Sequence, residues 1–244
     1  MGFKKSIYLK LPIVLLILAI ILFIIGYSAI DRWNEVSKSE GRRALTAARI
    51  INILLDVEEF QQIMLSGETN EYYYEFKSFL NEMIIETEAM YIYIMSRGDG
   101  NNYVYFMEGD HIFVSNIEPL LKLWDLEPID YHHPQIGSSL HTGNDAITDV
   151  YNIEDFGLMV TGISVIINND GRSVGVIGVD ISMSDTRNKI ISDAIIQFAI
   201  TFFIIGIFTV FVLNNYEKTI KRYMLSNIDL NELKKILGGQ TDEV

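Results

Sequence analysis

Two long runs without a charged residue constrain this chain most, because each is long enough to cross a lipid bilayer. Residues 11–30 form an uncharged run of 20 residues, and residues 194–216 form one of 23. The apolar core of a bilayer is about 30 Å thick and takes about 20 helical residues to cross. We therefore predict transmembrane helices at residues 11–30 and 194–213. The first run could instead be a signal peptide, but its apolar part is longer than that of most signal peptides.

Basic residues beside the two runs predict the orientation of the chain. Three lysines and no acidic residue precede the first run, and three basic residues closely follow the second. Residues 1–10 and 214–244 are therefore expected in the cytoplasm, with residues 31–193 outside the cell. This topology predicts a two-pass protein of the plasma membrane, in contact with membrane lipid.

The predicted outer segment is strongly acidic. Residues 31–193 contain 27 acidic and 11 basic residues, in a chain whose net charge is −13. Such a surface repels a phosphate backbone, so we expect no nucleic-acid partner. The chain has no cysteine, so this segment folds without disulfides. Its length, about 160 residues, is enough for one buried core.

The first part of the outer segment has the apolar period of helices. Apolar residues recur at steps of three and four after the first span, which predicts a long helix ending near Gly67. Its apolar face comprises Ala44, Ala47, Ala48, Ile51, Leu54 and Leu55. We expect the region 44–55 to pair with a second copy, giving a homodimer. A second helix, within NEYYYEFKSFLNEMIIETE, has an apolar side made of Tyr72, Phe76, Phe79, Leu80 and Met83.

The pattern then changes to the two-residue period of β-strands. The stretches AMYIYIMS and NYVYFM flank the turn sequence RGDGNN, and together they predict a β-hairpin. One face of the hairpin would carry the tyrosines, namely Tyr91, Tyr93, Tyr103 and Tyr105. The other would carry aliphatic residues and Phe, namely Met90, Ile92, Ile94, Val104 and Phe106.

Strand character returns after an irregular stretch at residues 108–146. AITDVY, GLMVTGISVIIN and SVGVIGVDIS each read as a strand. Ser184 and Asp185 then predict the cap and first turn of a helix that enters the second span. The predicted fold is α+β, with a long N-terminal helix packed on an antiparallel sheet of about five strands, between two transmembrane helices.

The order of these elements resembles the extracellular Cache sensor domain, above all in the stretch DFGLMVTGISVIINNDGRSVGVIGVDIS. These PAS-like domains occur in bacterial chemoreceptors, histidine kinases of two-component systems and membrane diguanylate cyclases. The resemblance covers residues 31–193 and implies a PAS-like sheet with the long helix on one face and a small-molecule pocket on the other. In amino-acid-binding members an aspartate of the closing strand contacts the ligand amine, and Asp180 occupies that position. Those members also carry an arginine and a tryptophan between the strands, where this chain offers Trp124 without a nearby arginine.

Asp180 is also the main candidate for ligand contact from the residues themselves. It shares a strand face with Gly178, whose missing side chain leaves room for an approaching group. A half-buried carboxylate is costly unless it is paired, and a cationic or donor-rich ligand would pair it. The alternative is a structural role, with Asp180 bonded to the backbone at the strand end. Aromatic walls for the pocket are expected from Tyr93, Tyr105, Trp124, Tyr131 and Tyr151.

Motifs for catalysis, metals and cofactors are weak. Neither TGISV nor IGSSL fits the G-x-S-x-G pattern of a nucleophilic serine, and GVIGVD lies in a strand pattern rather than before a helix. His132, His133 and His141 lack the spacing of a zinc site. We therefore expect no enzyme activity, no metal and no cofactor.

The sequence thus predicts a receptor that senses a small extracellular ligand and signals through the second span. The tail at residues 214–244 is too short for a catalytic domain. Output is expected from a separate cytoplasmic signalling partner or from a domain beyond residue 244, of the chemoreceptor, histidine kinase or diguanylate cyclase type. The alternative is a membrane scaffold whose outer domain binds a protein or a cell-wall component.

Overall fold

A computed structural model describes most of the backbone, namely residues 2–98, 102–109, 124–128, 134–153 and 156–238. Within these ranges, side chains are described from Leu16 to Tyr223, apart from those of residues 127, 128 and 213. The chain divides into two compact units, one formed by Tyr27–Ile191 and the other by Met1–Gly26 with Ser192–Val244. The first unit contains the candidate site.

Helices make up the described part of the second unit and nearly half of the first. The described residues form α1 (Gly2–Leu54), α2 (Val57–Ser66), α3 (Glu71–Thr87), α4 (Pro134–Thr142) and α5 (Ser184–Gly238). Both α1 and α5 are long and apolar enough to cross a membrane. Large apolar side chains on them are exposed, such as Phe23 at 73% and Phe203 at 68%.

The first helix ends earlier than the sequence predicts. Asp56 has an extended backbone, and its carboxylate accepts hydrogen bonds from the N–H groups of Glu58 and Glu59. It therefore starts a separate helix, α2, because an aspartate side chain satisfies the free N–H groups of a first turn. Gly67 ends α2 at φ 73°, so the predicted helix end is confirmed. The predicted second helix is α3, although its buried face is turned slightly and comprises Tyr73, Phe76, Leu80 and Ile84.

Seven strands form one antiparallel sheet within the described residues. They are β1 (Tyr91–Arg97), β2 (Asn102–Glu108), β3 (Leu126–Pro128), β4 (Ala146–Ile147), β5 (Tyr151–Ile153), β6 (Gly157–Ile167) and β7 (Ser173–Ser182). Their order is β3-β2-β1-β7-β6-β4, with β5 also paired to β6. The predicted hairpin and the two predicted closing strands are confirmed as the four long strands. The sheet exceeds the predicted five because AITDVY forms two short strands and the irregular stretch contributes β3.

Glycine lets α1 pack directly on one face of the sheet. A Cβ atom at Gly162 of β6 would overlap the backbone of Ala44 and Leu45, so only glycine fits there. Ala44, Ala48 and Ile51 are fully buried in the same contact. The sheet of the same chain therefore covers the alanines, whereas Ile53 and Leu54 are 81% and 56% exposed, so a homodimer through the region 44–55 stays a prediction.

The opposite face of the sheet is covered in part by α4, which the sequence pattern did not reveal. This helix has only nine residues, too few to show a clear helical period. Its Ile136 is buried in the cluster that also contains the tyrosines of β1 and β2. Gly137 lies beside the Tyr103 hydroxyl, which would be 2.9 Å from a Cβ atom at that position. The missing side chain therefore brings α4 close to the sheet.

Candidate ligand-binding site

The sheet has one apolar face and one face rich in tyrosine, as the hairpin pattern predicts. Ile92, Ile94 and Phe106 belong to the cluster that packs under α1. Met90 does not follow the predicted alternation, since it precedes β1 and packs on the opposite side. We call that opposite side the tyrosine face; its tyrosines are Tyr91, Tyr93, Tyr103 and Tyr105.

Asp180 lies buried between β1 and β6. It is 5% exposed, and its partners in the sheet register are Tyr91 and Thr161. The Thr161 hydroxyl donates a hydrogen bond to Oδ1 of Asp180 at 2.6 Å. The Tyr151 hydroxyl lies 2.8 Å from the same Thr161 oxygen. Because Thr161 has one hydroxyl proton and gives it to Asp180, Tyr151 must be the donor to Thr161.

The room expected over Gly178 is occupied by the chain itself. A Cβ atom at this position would overlap the ring of Tyr93, which is paired with Gly178 across β1 and β7. The ring centroids of Tyr93 and Tyr105 are 6.1 Å apart. Tyr91 meets Phe156 edge-on at 4.9 Å. An aromatic wall therefore runs beside Asp180.

A second carboxylate reaches the tyrosine face through a β-bulge. The pairing of β1 with β2 shifts between Ile94 and Met95, and both Phe106 and Met107 turn toward the apolar cluster. Glu108, which is 8% exposed, thereby lies opposite Tyr93 in the register. Strict alternation would place Glu108 on the apolar face, so the bulge adds a negative charge to the site.

The tyrosines respond electrostatically to both carboxylates. Burial raises the pKa of Tyr93 well above its usual value, and the charge of Asp180 raises it further. The pKa of Tyr151 is raised by burial and then by Asp180. The pKa of Tyr91 is raised by burial, then by Glu108 and Asp180. These hydroxyls therefore stay protonated at physiological pH, and the site combines neutral donors with negative charge.

The structure brings together four of the six predicted site residues, namely Asp180, Tyr93, Tyr105 and Tyr151. The backbone N–H of Trp124 donates to the Tyr105 carbonyl, but the indole lies elsewhere, beside Gly67 at the end of α2, and the residue is 43% exposed. Since α2 covers the apolar face, Trp124 is not part of the group around Asp180. Tyr131 lies outside the described residues.

Three further residues of the tyrosine face were not among the predicted site residues. Tyr91 follows from the same alternation as Tyr93. Thr161 follows from pairing β6 with β7 through their short turn. The position of Glu108 could not be predicted in this way, because no sequence pattern indicates the β-bulge that places its side chain on the tyrosine face.

The strand that carries Asp180 leads almost directly into α5. The Met183 N–H donates to the Leu158 carbonyl of β6 at 2.7 Å. The Leu158 N–H donates in return to the Ser184 hydroxyl at 3.1 Å. Ser184 is the first residue of α5, and its hydroxyl is hydrogen-bonded to β6. It does not cap the helix as predicted. Asp185 does lie in the first turn.

No protein-family model and no curated protein sequence matches the chain. Solved structures similar to it include the ligand-binding domain of the Campylobacter jejuni chemoreceptor Tlp3 in complex with L-valine, at 14% identity and a TM-score of 0.40 over 69% of this chain. The ligand-binding domain of the Pseudomonas fluorescens chemoreceptor CtaA in complex with L-serine matches at 15% identity and a TM-score of 0.33 over 64% of it. The chain spans 66% and 60% of the length of these two domains. Both are ligand-binding domains of chemoreceptors.

Proposed function

We propose that this chain is a membrane receptor whose outer domain binds a small amine through Asp180. The observation that carries the proposal is the position of this carboxylate. It is buried, it accepts the hydrogen bond of Thr161, to which Tyr151 donates in turn, and its strand continues directly toward α5. The same strand, β7, can therefore both bind the amine and pass a movement to α5.

The charge of the site favours a cation. Asp180 and Glu108 are the charged groups that act on Tyr91 and Tyr93, and both are negative. A protonated amine is attracted to a buried carboxylate and also to the face of a tyrosine ring. An anion would be repelled by the same groups. The site therefore suits a small amine, and two carboxylates suit a diamine.

Ligand entry requires a movement of the tyrosine face. Asp180 and Tyr93 are 5% and 4% exposed, and the Tyr93 ring covers Gly178. We infer that the amine displaces this ring, so that the free and bound states differ in the packing of β1 on β7. A ligand shifts such an equilibrium by its difference in affinity for the two states.

The movement can reach the membrane through the end of β7. Met183 and Ser184 bind Leu158, so β6, β7 and the start of α5 move together at this point. We propose that α5 carries a small displacement across the plasma membrane to a cytoplasmic output, with both termini in the cytoplasm. The output is a separate signalling partner or a further domain, and the chain itself has no catalytic role. A homodimer through the region 44–55 would use its exposed residues rather than its buried alanines.

The proposal is tested by the thermal stability of the full chain in detergent micelles. Putrescine, ethanolamine and a set of amino acids are added as chloride salts, with sodium chloride as the blank. A ligand at 100 times its dissociation constant adds about 2.7 kcal/mol to stability. We expect Asp180→Asn to abolish the effect and Asp170→Asn, an exposed change of equal charge, to retain it. Stabilisation by none of the amines would favour the scaffold function.

Topology is tested separately, because the chain has no cysteine. Single variants Ser78→Cys and Lys218→Cys are expressed and exposed to a membrane-impermeant maleimide in whole cells. We expect labelling at Ser78→Cys and none at Lys218→Cys until the cells are lysed. Labelling of both in intact cells would contradict a cytoplasmic tail.

A further inference from the structure

A cavity lies between α4 and the sheet, at the other end of β7 from Asp180. Its volume is about 420 Å³, and its lining includes Arg97, Tyr103, His141 and Ser173. Ser173 is seven residues from Asp180, which is roughly 23 Å along an extended strand. We call this space the Arg97 cavity. It is separate from the proposed amine site.

The Arg97 cavity differs from other cavities of the same unit in its charged residues. Three other cavities each combine a basic with an acidic side chain, namely Arg42 with Asp149, Arg49 with Asp145 and Arg43 with Glu86. Among the described residues, the lining of the Arg97 cavity has no acidic side chain and combines a guanidinium with an imidazole. In a segment with 27 acidic and 11 basic residues, this combination marks a place suited to an anion.

Hydrogen-bond donors line the same space. The Ser173 hydroxyl is buried and has no hydrogen-bond partner among the described residues. Arg97 lies opposite Tyr103 in the β1–β2 register. Burial raises the pKa of the Tyr103 hydroxyl, and the charge of Arg97 opposes that rise, so the guanidinium acts on this hydroxyl. Arg97 and Ser173 therefore bring donor groups to the lining of one space, beside Tyr103.

We propose that the Arg97 cavity binds a small aliphatic carboxylate. The planar guanidinium matches the two oxygens of a carboxylate, which makes this pairing strong and directional. His141 and Ser173 are further donors, while Leu140 and Val174 form an apolar wall for a short chain. The volume lies within the range of about 300–1,000 Å³ that is usual for small-molecule sites.

The test is isothermal titration calorimetry of the full chain in detergent micelles with sodium succinate, using sodium chloride of equal ionic strength as the blank. We expect Arg97→Gln to weaken succinate binding by about tenfold or more, because it removes the charged donor. Arg187→Gln makes the same charge change on the exposed first turns of α5 and is expected to leave binding within about twofold. Ser173→Ala should weaken it by a smaller factor.

Three outcomes would overturn the proposal. The first is that succinate gives no more heat than sodium chloride does. The second is that Arg97→Gln and Arg187→Gln bind succinate equally well. The third is that inorganic phosphate binds more tightly than succinate. Arg97 is exposed, so its variant is expected to fold, which circular dichroism checks. His141→Gln provides a second variant at the same cavity. Asp180→Asn should bind succinate normally, which separates this site from the amine site.

Discussion

The two faces of the sheet are built on different physical principles. The apolar face meets α1 with no gap at Gly162, and its cluster consists of aliphatic and aromatic side chains. The tyrosine face instead buries Asp180 and Glu108 beside hydroxyl groups. Burial of apolar side chains contributes about 1.5–3 kcal/mol each, whereas burial of a carboxylate costs free energy unless it is paired. One face therefore fixes the fold, and the other is suited to change when a ligand binds.

The largest effect is expected where α1 meets the sheet. Gly162→Ala would place a Cβ atom in the backbone of Ala44 and Leu45, and a backbone cannot yield as a flexible side chain can. We expect a loss of about 3 kcal/mol in the free energy of unfolding, at the upper end for overpacked cores. Urea unfolding in detergent micelles, followed by the fluorescence of Trp33 and Trp124, measures it.

Gly171→Ala is the matched control for this substitution. Gly171 has φ 76°, and no atom lies within 4 Å of the position that an alanine methyl group would take, so alanine there meets backbone strain without a collision. We expect a loss of about 1 kcal/mol. A Gly162→Ala loss no greater than that of Gly171→Ala would mean that α1 can move away from the sheet, and the contrast between the faces would fail.

The next effect belongs to the tyrosine face. Thr161→Val keeps the shape of the side chain but removes the donor to the buried Asp180 carboxylate. We expect a loss of about 2 kcal/mol, because a lost hydrogen bond to a buried charge leaves part of its desolvation cost uncompensated. The same substitution in an Asp180→Ala background should cost less, which a double-mutant cycle detects.

Thr46→Val is the exposed control, since its hydroxyl bonds only within α1. Its expected change is within about 0.5 kcal/mol. Equal losses for Thr161→Val with and without Asp180 would show that the two side chains are not coupled. The hydrogen-bonded chain from Tyr151 would then have no energetic role.

The sequence was sufficient for the long elements of the fold and for one half of the candidate site. Alternation places Tyr93 on the tyrosine face, and the turn at Gly171 pairs β6 with β7, because both depend on local periods and turn chemistry. The break between α1 and α2 at Asp56 was not predicted, because acidic residues are common both inside helices and at their start. The helix α4 could not be predicted, because a segment of nine residues is too short to show a clear helical period.

The other half of the site depends on contacts between distant segments. Glu108 reaches the tyrosine face only because β2 contains a bulge, which depends on how β1 and β2 pair. Tyr93 covers Gly178 because β1 lies next to β7, a neighbour far away in sequence. Composition equally leaves open whether the alanines of α1 meet a second copy or the chain's own sheet. Tertiary packing decides each of these.

Alkaline pH should also lower stability through the tyrosine face, and the share of each tyrosine is smaller than the loss expected for Thr161→Val. The usual tyrosine pKa is 10.0, and in the folded chain those of Tyr91, Tyr93 and Tyr151 are raised. Below pH 10 both states hold the proton, so stability is unaffected. Above it the unfolded state ionises first, and stability falls by about 1.4 kcal/mol per pH unit for each such tyrosine.

Urea unfolding at several pH values measures this dependence, with ultraviolet difference spectra reporting phenolate. Above pH 10, the stability of Tyr93→Phe should fall less steeply than that of the parent chain, by about 1.4 kcal/mol per pH unit, because one ionisable hydroxyl has been removed. A Tyr93→Phe variant with the same slope as the parent chain would mean that Tyr93 ionises normally. The ring would then be open to water, in conflict with a closed site.

The smallest effect is expected at the rim of the apolar face. Arg49 of α1 and Asp145 form an ion pair at 2.7 Å, with the arginine side chain 57% exposed. Asp145 also accepts the Val165 N–H through its other oxygen. Arg49→Gln should therefore cost about 0.5 kcal/mol or less, because water and salt screen an exposed pair and Asp145 keeps its backbone bond. Urea unfolding at low and high salt measures it. A loss above about 1.5 kcal/mol would mean that this ion pair, as well as apolar packing, holds α1 to the sheet. The contrast between an apolar face and a charged face would then be weaker.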